Sequence, residues 1–310
     1  MPFSHMARKG LQRFLCLAAT AAVLLAQAAQ VAETPESGLV IRSDTRLVVL
    51  HTTVQDGENR PVADLTQSAF EVYEDGQLQP LKLFRREDVP VSLGILVDNS
   101  GSMRDKRLKV NAAALDFVKA SNPEDEVFIV NFNDESFLDT DFTAEIERLQ
   151  DALQRIDARG GTALYDAIGM SLDHLTTKGK WDKKVILLIS DGEDNASRAT
   201  LEKVVRQLQE TDTVVFAVGL LSEEDRRSAR RAQRALRNMV EATGGAAYFP
   251  EGVGDVHAIT QQVAHDIRNQ YILGYTPDES KAPGYRQVRV ELTGKARKYK
   301  ARHRPGYFGQ

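Results

Sequence analysis

The stretch Val91 to Met103, VSLGILVDNSGSM, is an apolar run that ends abruptly in Asp98, Ser100 and Ser102 at alternate positions. A short apolar run bounded by turn residues reads as a strand buried on both faces, the kind found in parallel sheets. The Asp-x-Ser-x-Ser triplet then falls on the loop leaving its carboxyl end, which is where open α/β sheets bind ligands. One carboxylate and two hydroxyls offer hard oxygen donors with no nitrogen or sulfur, a set that suits Mg²⁺ or Mn²⁺ rather than Zn²⁺. Ser, Asn, Gly and Asp also build ordinary turns, so the triplet by itself leaves a plain turn open.

Two later segments extend the pattern. Gly160-Gly161-Thr162-Ala163-Leu164 opens a helical stretch, and Val185 to Ser190 is another apolar strand, ending in Asp191-Gly192. Three loops at strand or helix junctions therefore supply hydroxyl or carboxylate oxygens. On these residues the chain resembles the von Willebrand factor A family and its metal-ion-dependent adhesion site. Asp98, Ser100 and Ser102 match the Asp-x-Ser-x-Ser element, Thr162 within GGTALYDA matches the threonine, and Asp191 within SDGEDN matches the last aspartate. The resemblance spans about Pro90 to Tyr275. The Ala-Val-Gly strand at Phe216 to Gly219 and the flanks EVYEDGQLQP, LGYTPD and RPGY are similar to a bacterial branch of secreted proteins with this domain.

The resemblance implies that the two serines and the threonine bind the metal or lie beside it, that the aspartates bind directly or through water, and that one position stays open for a partner's carboxylate. Mg²⁺ takes near-octahedral oxygen and keeps waters readily, so a site with few charged ligands leaves the cation electrophilic toward an incoming Asp or Glu. Four further residues flank this set. Asp166, four residues after Thr162, either supports the site from behind or complements the helix dipole. Asn133 and Asp134 follow the strand Val127 to Phe132 and either line the partner groove or make a turn, and Glu193, with Asp194, belongs to the solvated rim.

From Pro90 onward strands alternate with helices, the signature of an α/β fold with a doubly wound, mostly parallel sheet of the Rossmann-like kind. Strands are expected at Val127 to Phe132, Val185 to Ser190, Val214 to Val218 and Ala246 to Phe249. Helices are expected at Leu108 to Ala120, Ile146 to Ile156, Leu164 to Leu175, Leu201 to Gln209, Glu223 to Ala242 and Val256 to Asn269. The flanks read differently. Leu47 to Val54, Phe70 to Tyr73 and Leu81 to Phe84 are hairpin-like strands, the last two around Glu74-Asp75-Gly76. Tyr271 to Tyr275, Tyr285 to Leu292 and Lys298 to His303 are strands again. Because the ends of such a domain lie close together in the family, both flanks are expected to complete one smaller β-sandwich. The organisation is thus 1–28 leader, 29–45 flexible lead, 46–89 first part of the β-module, 90–269 the α/β domain, and 270–310 the strands that finish the module.

Arg8, Lys9 and Arg13 precede an apolar run from Phe14 to about Ala26, and Ala26-Gln27-Ala28 offers a small-residue cleavage pattern, so the start reads as a secretory signal peptide. The run falls short of the roughly 20 residues that span a bilayer, which makes an uncleaved membrane anchor the lesser reading and leaves no stable span after cleavage. The location implied is secreted or periplasmic. Cys16 is the only cysteine and lies in the leader, so the remaining chain has no disulfide, no thiolate catalysis and no Cys-based zinc site. With 310 residues and net charge −4, the chain has no general pull toward nucleic acid or anionic lipid. The tail KARKYKARHR, Lys295 to Arg304, reads as the solvated face of an edge strand, and the arginines between Arg226 and Arg237 as a solvated helix face, the best surface for an acidic partner.

No Gly-x-Ser-x-Gly elbow follows a strand, no histidine of the six sits in a motif-like context, and no phosphate-binding glycine loop is present. No catalytic residue is assigned. The leading expectation is a non-enzymatic, adhesion-type module binding a protein ligand through Mg²⁺, with Mn²⁺ as a substitute; oligomeric state is left open. The alternatives are a metal-dependent hydrolase with Asp191 or Asp134 as base, and a structural envelope scaffold in which the metal only stiffens the loops.

Overall fold

The computed structural model describes residues 47–86, 88–154, 158–221, 226–278 and 280–309. The expected leader and lead, with Cys16, lie outside the described residues, as do Ile156 and the acids Glu223, Glu224 and Asp225.

In chain order the strands are β1 (Val48–Gln55), β2 (Phe70–Glu74), β3 (Gln77–Gln79), β4 (Leu83–Arg85), β5 (Val91–Asp98), β6 (Glu126–Phe132), β7 (Ser136–Thr143), β8 (Lys183–Ser190), β9 (Val214–Gly219), β10 (Ala247–Tyr248), β11 (Tyr271–Tyr275), β12 (Gly284–Leu292), β13 (Lys300–Arg302) and β14 (Gly306–Gly309). The helices are α1 (Arg107–Lys119), α2 (Ile146–Gln154), α3 (Leu164–Lys178), α4 (Leu201–Gln209), α5 (Arg226–Thr243) and α6 (Val256–Arg268).

Six strands form a central sheet in the order β10-β9-β8-β5-β6-β7, parallel except for β7, which runs antiparallel at the edge beside β6. The pleat sends alternate residues to opposite faces. Val185, Leu187 and Ile189 of β8 join one core with α1, α2 and α6, while Ile186 and Leu188 join a second core with α3, α4 and α5. Burial on both faces explains why the middles of β5 and β8, Leu93 to Val97 and Val185 to Ile189, read as apolar runs. At Gly94 a Cβ would come within 2.4 Å of the Phe128 ring, so the glycine makes room for a large core residue on the neighbouring strand.

The flanks form two four-stranded sheets, β13-β1-β11-β4 and β14-β12-β2-β3. Val48, Leu50, Tyr271, Leu273 and Tyr275 from the first pack on Phe70, Val72, Val288, Val290 and Tyr307 from the second. The two flanks therefore close one β-sandwich, with the α/β domain inserted between β4 and β11. Its pairing differs from the sequence reading in one respect. Beyond the turn at Asp75-Gly76, β2 pairs with β3, whereas Leu83–Arg85 crosses to the other sheet and pairs with β11. In the tail, Gly294–Lys298 winds into a 3-10 turn that buries Ala296, leaving only Lys300–Arg302 as the edge strand beside β1.

Ion pairs join sandwich and α/β domain. Arg302 Nη2 lies 3.0 Å from Asp266 Oδ2, and Arg304 Nη1 lies 2.7 Å from Asp212 Oδ1. None of the described helices is long and apolar enough to cross a membrane.

Candidate functional site

Parallel β5 and β8 are direct neighbours, so their carboxyl ends bring Asp98 and Asp191 to the same edge of the sheet. Asp98 is the last residue of β5 and is fully buried. Its Oδ1 accepts from the Ser100 N–H at 2.8 Å, which turns the chain sharply, and its Oδ2 accepts from the Ser190 hydroxyl at 2.6 Å. Burial pushes the Asp98 carboxyl up to about 6, against the pull of the hydrogen bonds from Ser190 and Ser100, and the Asp191 charge adds to the rise.

Beyond Asp98 the oxygens run in a chain. Ser100 Oγ lies 3.1 Å from Ser102 Oγ, and Ser102 donates to Asp191 Oδ1 at 2.7 Å. Ser100 is buried, whereas Ser102 stands exposed on the 3-10 turn Gly101–Met103, anchored by the buried Met103. Lys106 pairs with Asp191 Oδ2 and also donates to the Leu220 carbonyl at 3.2 Å.

Thr162 is buried on the third loop, and a Cβ on Gly192 would meet its Oγ1 at 3.4 Å, which puts the hydroxyl beside the Asp191 loop. Neighbouring loops fix it. Its N–H donates to Asn195 Oδ1 at 2.9 Å, and its carbonyl accepts from the Asn195 and Ala196 N–H groups. The Gly161 N–H donates to Asp134 Oδ1 at 2.7 Å, and Gly101 N–H donates to the Gly160 carbonyl at 3.1 Å, which ties the first loop to the third. Gly160 has φ +75° and sits against the Asp134 carboxylate, so a side chain there would collide as well as strain the backbone.

The flanking residues also have defined places. Asp134 braces the third loop through Gly161, and Asn133 lies buried beside it, its carbonyl accepting from Ala163 N–H at 2.6 Å. Asp166 accepts from the Arg198 and Ala199 N–H groups at 2.9 and 3.0 Å, so it pins the chain that follows Asp191. Glu193 pairs with Arg231 of α5 at 2.5 Å and accepts from Ser228 at 3.1 Å; Asp194 accepts from Tyr165 N–H at 3.0 Å. The six arginines of α5 are all exposed, and Arg237 lies over the Phe249 ring.

Ser190, Lys106 and Asn195 were not anticipated from the sequence. Ser190 carried the one available signal, a hydroxyl at the end of an apolar strand beside Asp191. Nothing in the sequence marks Lys106 as a side chain that turns inward.

Among the described residues no group of three or more His, Cys, Asp or Glu is placed to hold a metal. Any ion here must depend on hydroxyls together with the two aspartates. The spacing suits that. Adjacent oxygens of an octahedral shell at about 2.1 Å lie about 3.0 Å apart, and the Ser100–Ser102 and Ser102–Asp191 separations are 3.1 and 2.7 Å. The donor set, all oxygen, fits a hard dication such as Mg²⁺.

Residues 93–193 match the family model described as von Willebrand factor type A domain. No curated protein matches the chain. Among solved structures, the chain is similar to a von Willebrand factor type A protein from Catenulispora acidiphila, with TM-score 0.51 and 11% identity over 86% of this chain and 74% of that one. It is also similar to proximal thread matrix protein 1 of the mussel byssus, solved with a zinc-occupied MIDAS motif, with TM-score 0.50, 14% identity and coverage of 61% of this chain and 48% of that one. A third similar structure is BatB from Bacteroides thetaiotaomicron, with TM-score 0.44, 18% identity and coverage of 57% and 98%. At these identities the likeness to the first two is one of fold, and the chain spans about half of the byssus protein's length.

Proposed function

Because residues 93–193 belong to the von Willebrand factor type A domain family, we propose that this protein is a metal-dependent protein-binding module rather than an enzyme. In this reading Asp98, Ser100, Ser102, Thr162 and Asp191 hold Mg²⁺, with Mn²⁺ able to substitute, and the partner is a protein presenting an Asp or Glu carboxylate. The observation that carries it is the hydrogen-bonded chain of oxygens from Ser100 through Ser102 to Asp191, joined to the buried Asp98 through the Ser100 N–H. When bound, a dication with so few charged ligands supplies an electrophile for an incoming carboxylate.

The chain's own residues do the rest. Ser190 and the Ser100 N–H orient Asp98, Asp134 and Asn195 hold the Thr162 loop, and Ser102 keeps its hydroxyl at the exposed side of the site. The exposed arginine face of α5, tied to the rim through Arg231 and Glu193, favours a partner whose surface is acidic around the captured carboxylate. The basic, apolar start of the chain supports a secreted or periplasmic location.

Calorimetric titration of Mg²⁺ into the protein and into Asp98→Ala tests the site. Binding to the parent and its loss in the variant, with far-UV circular dichroism unchanged, is the expected result; equal binding overturns the assignment. Capture of partners from envelope and secreted fractions in Mg²⁺ and in EDTA tests the function. A partner retained only with Mg²⁺ is expected, and capture that survives chelation would favour a scaffold whose metal merely stiffens the loops.

A further inference from the structure

Lys106 immediately precedes α1, three residues beyond Met103. Lysines at such positions ordinarily extend into solvent. This one does not: its ammonium pairs with Asp191 Oδ2 and donates to the Leu220 carbonyl at 3.2 Å, and its side chain is 23% exposed while that of Asp191 is 1% exposed. The carbonyl belongs to a segment that is itself fixed, since Leu220 follows β9 and its N–H donates to the Ser190 carbonyl at 2.9 Å. The ammonium thus sits in a socket made by the carboxyl ends of β8 and β9.

The two oxygens of Asp191 consequently have different partners. Oδ1 accepts from Ser102, inside the proposed ligand set, and Oδ2 is held by Lys106. Of the two aspartates in that set, Asp98 is turned onto Ser190 and Ser100, so Asp191 is the one whose oxygens face both Ser102 and the lysine.

The geometry points to Lys106 as a tethered cation that competes with the dication for Asp191 and so sets the metal affinity of the protein. The inference rests on the reading of Asp98, Ser100, Ser102, Thr162 and Asp191 as metal ligands. An ammonium at hydrogen-bond distance from a ligating carboxylate neutralises part of its charge and repels a second cation, and both effects are strong in a site shielded from water. If the lysine swings away to relieve that repulsion, it gives up the Leu220 carbonyl and must leave it to solvent. Either course weakens the binding of Mg²⁺ relative to the same site without the charge.

The test is Mg²⁺ titration by calorimetry of the full chain, of Lys106→Gln and of Lys106→Met, with Asp98→Ala added to each to show that the ion sits at this site. Lys106→Gln keeps an N–H for the Leu220 carbonyl while removing the charge, and Lys106→Met removes both, so that one variant decides if the other does not fold. Tightening of the Mg²⁺ Kd by about tenfold or more, abolished by Asp98→Ala, is expected. Binding by Lys106→Gln where the parent binds too weakly to detect counts the same way. A parent that binds in an Asp98-dependent manner, with folded variants that bind equally or more weakly, overturns the role of Lys106 and leaves the metal site standing. Absence of Mg²⁺ binding in parent and variants alike overturns both.

Discussion

The Ser190 hydroxyl donates to Asp98 Oδ2 at 2.6 Å across the carboxyl ends of β8 and β5, with both residues fully buried. It is one of the contacts that keep a carboxylate charged in a place where burial alone disfavours the charge. Ser190→Ala removes this donor without changing the strand. The expected loss is about 1–3 kcal/mol, the usual penalty for leaving a buried polar group without its partner. Urea unfolding in EDTA at pH 8 measures it, and no change in the midpoint would show that Asp98 does not depend on Ser190.

Gly160→Ala should disable the third loop. The residue has φ +75°, and the new methyl would collide with the Asp134 carboxylate that holds Gly161 N–H. A stability cost of about 1 kcal/mol or more follows from the strained backbone. Thr162 should be displaced with the loop, so Mg²⁺ affinity should fall more than the stability loss alone accounts for. Calorimetry beside urea unfolding separates the two effects.

Lys183 makes stability depend on pH in the alkaline range. Its ammonium donates to the Ile267 carbonyl at 2.5 Å in a buried position, and burial pushes its pKa from 10.5 down to about 7; Arg268 adds to the drop, while Asp88 and Asp125 oppose it. The folded-state value lies below the unfolded one, so between about pH 7 and pH 10.5 the unfolded chain holds more protons. Stability should therefore rise with pH across that window, by at most about 1.4 kcal/mol per pH unit. In Lys183→Met the slope between pH 7 and 9 should flatten, and urea unfolding at pH 7, 8 and 9 compares the two proteins.

Glu74 is the polar junction of the sandwich. It is fully buried, accepts from the Tyr275 and Tyr307 hydroxyls at 2.8 Å each, and lies 3.4 Å from both Arg286 Nη1 and Lys281 Nζ. Glu74→Ala strands two phenols and a buried guanidinium, with an expected loss of about 3–5 kcal/mol. Thermal unfolding should show a lower midpoint, and a loss much smaller for Glu74→Gln would identify the hydrogen bonds, rather than the charge, as what matters.

The parallel strands are legible because a strand covered on both faces is apolar through its middle, as Leu93 to Val97 of β5, Val185 to Ile189 of β8 and the whole of β9 are. The oxygen residues were legible because their chemical types and loop positions are local facts. What the sequence could not display is the consequence of adjacency. Ser190 matters because β8 lies beside β5, and Lys106 because the ends of β8 and β9 form its socket. β7, with sequence SFLDTDFT, is not legible because an antiparallel edge strand with little buried surface leaves no clear periodicity. The partner of Leu83–Arg85 is not legible because the nearest turn points to β2, whereas the true partner, β11, lies across the whole inserted domain.

That pairing of β4 with β11 has a mechanical meaning. The chain leaves the sandwich at Arg85 and returns at Tyr271, and Arg85 lies opposite Ile272 in the ladder, so both connections emerge from one end of two adjacent strands. Tension applied to the α/β domain therefore pulls β4 and β11 in the same direction, and the bonds between those two are not sheared. Behind that pair stand the five residue pairs of β11 with β1, Val48↔Tyr275 through Thr52↔Tyr271. A domain hung in this way is mounted on two paired strands at once rather than on a single one.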